Sequence, residues 1–191
     1  DILEFIECKQ EEGQIHNFNI SVGVTDEFMK AVKAGTSYEL RDPESGQVVD
    51  NIEANLVFDK VIEGAWRNGE PGVIFLDKVN ADNPTLNIGK MTATNPCGEQ
   101  PLLPYESCNL GSINLTKFVA EDNDVKSVDW DRLKEVVHVS TRFLDNVIDA
   151  NVYSVDKIEN MTKSTRKIGL GVMGFADMLV QLNVPYDSEE G

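Results

Sequence analysis

The sequence has few residues that could hold a metal ion. It contains three cysteines and only two histidines, His16 and His138, which lie far apart in the chain. Structural zinc sites take four cysteine or histidine ligands and commonly include a C-x-x-C pair, which this sequence lacks. We therefore expect no metal site.

Long apolar runs are also missing. No stretch approaches the ~18 apolar residues that a membrane-spanning helix needs, and no signal peptide is recognisable. An odd number of cysteines in such a chain favours a reducing compartment. We predict a cytoplasmic protein that has no membrane partner.

Basic residues are scarce relative to acidic ones. The 17 Lys and Arg residues stand against 33 Asp and Glu residues, for a formal net charge of −16. Proteins that bind a nucleic acid polymer place clusters of basic side chains against the phosphates. The charge balance argues against DNA or RNA as a partner. A single nucleotide could still bind if backbone donors or helix ends held its phosphates.

Hydrophobic periodicity predicts helices and strands that alternate along the chain. Helices are predicted at 2–6, from Thr25 onward, at 52–66, at 129–150 and at 155–162, strands at 17–24, 73–76 and 108–115, a loop at 77–88, and turns at 12–13, 41–47 and 121–124. Such alternation is typical of an α/β protein with a parallel sheet. The pattern alone does not separate a doubly wound sheet from a barrel.

Burial follows from the same periodicity. The strand at 73–76 is expected to be buried on both faces. The helix at 52–66 carries apolar residues at helical intervals, Leu56 and Ile62 among them. The helix at 129–150 is expected to turn Phe143, Leu144 and Ile148 inward, among others. His138 is interpreted as a core or boundary residue rather than a catalytic base. The basic run 163–167 is interpreted as a solvated turn, with a phosphate contact as the weaker alternative.

Residues 92–115 look suited to chemistry, because they hold two of the three cysteines and three of the seven prolines. Pro96 favours an extended conformation at Asn95, and Gly98 permits a positive φ. Cys97 is therefore predicted at the tip of a tight, non-helical turn. Asn95, Cys97 and Glu99 are two positions apart, a spacing that points side chains to one side when the backbone is extended. An amide, a thiol and a carboxyl could then meet one small molecule.

The surroundings of Cys97 favour a neutral thiol. Residues 91–116 contain no Lys, Arg or His, although a cysteine that works as a thiolate usually has a cation or a helix N-terminus nearby. A neutral thiol suits hydrogen-atom transfer better than nucleophilic attack. A structural role for Cys97 and Cys108, as a disulfide or as small packed side chains, is the alternative.

Residues 95–115 closely resemble the finger loop and following strand of ribonucleotide reductase catalytic subunits, in the form found in the adenosylcobalamin-dependent class. Residues 17–22, 25–29 and 166–179 carry further similarity, so the resemblance runs nearly from end to end. It implies that residues 1–191 are a central part of the catalytic domain, an α/β barrel of ten strands in two parallel halves. The finger loop, at about 92–107, would reach into its centre.

The resemblance also implies roles for individual residues. Cys97 would be the thiyl-radical residue that takes the 3′ hydrogen atom of the ribose, and Glu99 would accept the proton of the 3′ hydroxyl. Asn95 would hold and polarise the sugar hydroxyls. The backbone of Pro96 and Gly98 would line the substrate site. Cys108 would be one member of the pair that reduces the 2′ carbon and is oxidised to a disulfide.

In the family, the partner of the Cys108-type residue lies on a strand far upstream, and we expect it outside this sequence. Cys8 matches no redox position of the family and is interpreted as a partly buried bystander. The resemblance implies adenosylcobalamin as cofactor, a ribonucleoside di- or triphosphate as substrate, nucleotide effectors, a thioredoxin-like reductant and a homodimeric full-length enzyme. This segment alone is expected to be inactive.

Two alternatives remain at this stage. One is the large subunit of a class I reductase, which receives its radical from a separate subunit. The other is a non-catalytic barrel-derived domain in which both cysteines are structural.

Overall fold

A computed structural model describes residues 1–10, 15 and 17–191. The turn predicted at 12–13 and the residue His16 lie outside this described part. The chain divides into two compact units, Asp1–Pro104 and Tyr105–Gly191.

The first unit combines helices with short paired strands. Its helices are α1 (Ile2–Glu7), α2 (Asp26–Ala34), α3 (Ala54–Asn68) and α4 (Leu76–Ala81). Its strands are β1 (Ser21–Val24), β2 (Ser37–Arg41), β3 (Val48–Glu53), β4 (Gly72–Phe75), β5 (Ala93–Thr94) and β6 (Pro101–Leu102). Strands β1 and β4 pair in parallel, whereas β2 with β3 and β5 with β6 form antiparallel hairpins.

Local signals explain where the helices of the first unit begin and end. The Thr25 hydroxyl accepts a hydrogen bond from the Phe28 N–H at 3.1 Å and caps α2, as the sequence predicts. Helix α3 ends at Gly69, which adopts the left-handed conformation with φ of 84°. The core brings α1, α2 and α3 against β1. It consists of Ile6, Val22, Val24, Phe28, Ala54, Val57 and Val61.

The second unit is built around a parallel strand pair. Its strands are β7 (Asn109–Asn114), β8 (Val119–Asp122), β9 (Val125–Val128) and β10 (Ile168–Met173). Its helices are α5 (Trp130–Ala150), α6 (Asp156–Thr165) and α7 (Phe175–Leu182), with a 3-10 helix at Leu115–Phe118. Strands β7 and β10 are parallel, and β8 and β9 form an antiparallel hairpin. Side chains that include Ile113, Leu144, Ile148 and Leu179 are buried here.

The predicted α/β class with parallel pairing is confirmed, because both pairs of non-consecutive strands run parallel. Each sheet among the described residues has two strands, so these residues do not close a barrel. None of the described helices is both long and apolar enough to cross a bilayer.

Several sequence predictions need correction. Residues 76–81, mostly predicted as loop, form α4, because Asn80 and Asp77 bond to distant backbone groups. The predicted strand at 17–24 is paired only over Ser21–Val24. Strand β4 is not buried on both faces: Phe75 is 50% exposed, since β4 pairs only with β1 in the described part of the chain.

On α5, the predicted burial is confirmed for Leu144 and Ile148 and wrong for Phe143. Leu56 and Ile62 on α3 are exposed, and Phe143 on α5 is 65% exposed. His138 is exposed and is therefore not a core residue. The apolar stripe of each helix is wider than the face that its own unit covers.

A candidate active site on the Cys97 hairpin

Cys97 lies at the tip of a hairpin formed by β5 and β6. Ala93 faces Leu102 and Thr94 faces Pro101 in the antiparallel register. Below these pairs, the Thr92 N–H donates to the Leu102 carbonyl oxygen at 3.1 Å. The two short strands therefore fix the ends of a six-residue tip, 95–100.

The tip is closed by backbone hydrogen bonds. The Asn95 N–H donates to the Gln100 carbonyl oxygen at 3.1 Å, and the Gly98 N–H donates to the Asn95 carbonyl oxygen at 3.0 Å. Gly98 has a φ of 86°, a conformation that glycine adopts without a steric penalty. The prediction of a tight, non-helical turn around Cys97 is confirmed. The extended backbone assumed for 95–99 is wrong, because the chain reverses between Asn95 and Gly98.

The turn still brings the predicted amide and carboxyl together. The Asn95 Nδ2 donates to the Glu99 Oε1 at 2.5 Å, and the Asn95 Oδ1 accepts the Gln100 N–H at 2.9 Å. A hydrogen bond to a carboxylate is stronger than one between neutral groups. The Asn95 side chain is thus fixed at both ends and orients the Glu99 carboxyl at the hairpin tip.

The thiol at this tip is accessible. Cys97 is exposed and carries a free thiol. Pro96, Gly98 and Glu99 are exposed beside it. The sulfur is therefore not fixed in core packing, and a molecule that approaches the tip can reach the thiol.

The root of the hairpin is held by Asn80, which no sequence motif marks as functional. The Asn80 side chain donates to the carbonyl oxygen of Met91 and accepts the Met91 N–H, both at 2.9 Å. Its Nδ2 also donates to the Leu76 carbonyl oxygen at 2.9 Å, which ties the contact to α4. Asn80 therefore satisfies both backbone groups of Met91, the residue before the hairpin.

A cavity of about 670 Å³ lies beside the hairpin within the first unit. Its wall includes Thr92, Thr94 and Asn95 from the hairpin, together with Asn19 and Phe18 from the segment before β1. Pockets of roughly 300–1,000 Å³ are the size that buries a drug-sized molecule. The hairpin therefore borders a space large enough for a small organic ligand.

Cys108 stands immediately before β7 in the second unit and is partly buried. Two residues before it, the buried Glu106 carboxylate pairs with the Lys167 ammonium at 2.7 Å. The hydroxyls of Ser107 and Thr162 lie 2.7 Å apart. These contacts fix the segment that leads into Cys108 against α6 and the start of β10.

Cations of the basic run 163–167 form ion pairs. Lys163 pairs with Glu159 at 2.6 Å. The Arg166 guanidinium binds Asp145 at 2.8 Å and Asp149 at 3.0 Å, both on α5. Hydrogen bonds from Arg166 lower the pKa of both aspartates below the ordinary value and raise the pKa of Arg166. Residues 163–165 lie in α6 rather than in a turn. Arg166 ties the end of α6 to α5, which weakens the phosphate interpretation for this cation.

Gly174, which follows β10, allows a close approach of the backbone. A Cβ on Gly174 would lie 2.7 Å from the Asn114 Oδ1, and its φ is 70°. Cys8 is partly buried, as predicted. Within the described residues, no group of three or more His, Cys, Asp and Glu side chains could hold a metal ion.

Comparison with known proteins adds to this geometry. The family model "Ribonucleotide reductase, barrel domain" matches residues 1–191. A vitamin B12-dependent ribonucleoside-diphosphate reductase of Thermoplasma acidophilum is 53% identical over all of this chain and 24% of its own length. A protein with the same name from Mycobacterium tuberculosis is 49% identical over all of this chain and 27% of its own length. The chain thus spans about a quarter of these curated relatives.

A solved structure shows the same fold. The alpha subunit of a class Id ribonucleotide reductase from Actinobacillus ureae superposes with a TM-score of 0.69, over 98% of this chain and 34% of that one, at 24% identity.

Proposed function

Because the chain belongs to the ribonucleotide reductase barrel-domain family, we propose that it is the Cys97-bearing part of an enzyme that reduces ribonucleotides to 2′-deoxyribonucleotides. The names of the relatives favour a ribonucleoside diphosphate as substrate. One observation carries the proposal: an exposed thiol lies on a turn whose Asn95 and Glu99 side chains are hydrogen-bonded at 2.5 Å.

Each residue of the tip has a distinct role in this reaction. The Cys97 sulfur, as a thiyl radical, takes the hydrogen atom from C3′ of the ribose and later returns it. The Glu99 carboxylate accepts the proton of the 3′ hydroxyl. Asn95 orients Glu99 and holds the sugar hydroxyls, and the backbone at Pro96 and Gly98 leaves space for the sugar to approach.

The cysteine pair supplies the electrons. Cys108 and a second cysteine outside this chain give two electrons and two protons. One proton leaves with the 2′ hydroxyl as water, and the other ends as hydrogen on the 2′ carbon. The pair becomes a disulfide, and a thioredoxin-like protein reduces it again. The reaction thus consumes one ribonucleotide and two thiols. It produces one deoxyribonucleotide, one disulfide and one water molecule.

The radical source is proposed from the relatives, whose names are vitamin B12-dependent. Bound adenosylcobalamin would supply the initial radical. The described residues do not fit this cofactor. The cavity of about 670 Å³ beside the hairpin suits a drug-sized ligand, and a corrinoid is larger than such a ligand. We propose that the rest of the enzyme binds it and covers the exposed tip, since a radical must be shielded from water.

Three further properties belong to the same proposal and are supported by the resemblance alone. They are a homodimeric full-length enzyme, regulation by nucleotide effectors and a cytoplasmic location. The resemblance also supports the domain assignment, in which residues 1–191 are a central part of the barrel and the finger loop lies at about 92–107.

The test uses the full-length enzyme with ribonucleoside diphosphate, a dithiol reductant, and adenosylcobalamin present or omitted. The proposal predicts deoxyribonucleotide only when the cofactor is present. Activity that instead requires a separate radical-generating subunit would identify the class I alternative. No activity in either case, with Cys97 in a disulfide, would identify the non-catalytic alternative.

A further inference from the structure

The carbonyl group next to Cys97 is bound by a residue from a distant part of the chain. The Asn19 Nδ2 donates to the Pro96 carbonyl oxygen at 2.6 Å, across 77 positions of sequence. This carbonyl belongs to the peptide unit whose nitrogen is that of Cys97. The bond therefore acts on the peptide plane from which the Cys97 side chain projects.

The hairpin's own hydrogen bonds do not fix this peptide. They close the tip through Asn95, Gly98 and Gln100. Pro96 has no N–H, so its carbonyl is the only backbone group through which residue 96 can be held by a hydrogen bond. Asn19 supplies that bond.

Asn19 itself is attached to a rigid part of the first unit. The next residue, Ile20, is 8% exposed, and its carbonyl oxygen accepts the Gly72 N–H at 3.0 Å. Strand β1 begins one residue later, and its Val22 and Val24 are core residues. A side chain held by such a scaffold positions a reactive group more precisely than the loop could alone.

We propose that Asn19 is a positioning residue that sets the orientation of the Pro96–Cys97 peptide and so the direction of the Cys97 thiol. The inference rests on the role proposed above for Cys97. Hydrogen-atom transfer requires the sulfur close to and aligned with the C3′–H bond, and a misplacement of about 1 Å can cost about 100-fold in rate.

Asn68 provides a matched control. Its Nδ2 donates to the Lys9 carbonyl oxygen at 3.0 Å, across 59 positions and within the same unit. It makes the same type of exposed amide-to-carbonyl bond but does not touch the hairpin. Its Oδ1 also accepts the Glu70 N–H at 3.1 Å. Asn68→Ala therefore removes at least as many hydrogen bonds as Asn19→Ala without the loss of the proposed orientation.

The experiment compares Asn19→Ala, Asn19→Asp and Asn68→Ala in the full-length enzyme. Steady-state reduction of a ribonucleoside diphosphate gives kcat and KM. Hydrogen exchange, read by mass spectrometry, follows a peptide that covers residues 92–104. Asn19→Asp is nearly isosteric but places a carboxylate oxygen against the Pro96 carbonyl oxygen.

For both Asn19 variants we expect kcat to fall about 10- to 100-fold while KM changes less than about twofold. Exchange at the hairpin tip should rise about 2- to 10-fold, as the loss of one hydrogen bond predicts. Asn19→Asp should be at least as impaired as Asn19→Ala. Asn68→Ala should keep wild-type kcat and hairpin exchange, and show faster exchange only near Lys9 and Glu70.

Two results would overturn the inference. The first is a kcat for the Asn19 variants equal to that of Asn68→Ala, whether or not exchange rises. The second is a fall in kcat with unchanged exchange at residues 92–104. An inactive wild-type enzyme would instead refute the proposed function, so the two failures are distinguishable.

Discussion

The hairpin that carries Cys97 depends on Asn80, and the loss of its side chain should loosen the hairpin root. Asn80 makes three hydrogen bonds, two of them to the backbone of Met91, which is 8% exposed. A buried backbone group without a partner costs ~1–3 kcal/mol, and partial access of water places both Met91 groups near the lower end. Asn80→Ala should therefore cost about 2–3 kcal/mol in local stability.

Hydrogen exchange in the full-length protein measures this cost directly. A loss of this size corresponds to about 30- to 150-fold faster exchange of the amides of residues 91–102, at 1.36 kcal/mol per factor of ten. Asn51→Ala, on the exposed strand β3, serves as the control. It should change the exchange of residues 91–102 little. An increase below about threefold for Asn80→Ala would refute the reasoning, because Met91 would then be held by other contacts.

Further predictions concern the tip and the ion pairs of the second unit. Glu99→Gln should lower kcat by about 10²- to 10⁴-fold with the hairpin intact, because the amide cannot accept the 3′ hydroxyl proton. Gly98→Ala should strain the turn by about 1–2 kcal/mol through its positive φ, although its Cβ would meet no atom within 4 Å. In α5 and α6, the stabilisation that Arg166 gives to the ionised Asp145 and Asp149 should be lost as the pH falls below their ordinary pKa range, since their folded-state pKa values are lowered. Arg166→Met should remove that acid sensitivity from hydrogen exchange in these helices.

Matched controls accompany these predictions. Glu135→Gln, on the exposed part of α5, should keep kcat and thus separate loss of the base from loss of one negative charge. Gly46→Ala, at a φ of 69° in the turn between β2 and β3, should carry the same backbone strain but leave the enzyme active. If Arg166→Met retained the full acid dependence, other carboxylates would have to be responsible.

Local sequence signals predicted much of the fold and the centre of the candidate site. The start of α2 at Thr25 and the turn at Gly98 each depend on the conformational preference of one residue. The same holds for Cys97 at the hairpin tip. These features need no information from distant parts of the chain.

What the sequence did not predict depends on distant contacts. Helix α4 forms where Asn80 binds Met91, and no local pattern marks that pairing. Asn19 meets the hairpin across 77 positions. The exposure of Phe143 depends on which neighbours cover α5, and apolar periodicity cannot supply this.

The central claim is that the Cys97 sulfur exchanges a hydrogen atom with the ribose. The most direct test replaces Cys97 with serine in the full-length enzyme, with Cys8→Ser as the control, and measures deoxyribonucleotide formation with adenosylcobalamin present. Serine has the same shape as cysteine with oxygen in place of sulfur, but its O–H bond is too strong for this radical exchange. We predict no product from Cys97→Ser and wild-type product from Cys8→Ser; unchanged reduction by Cys97→Ser would contradict the account.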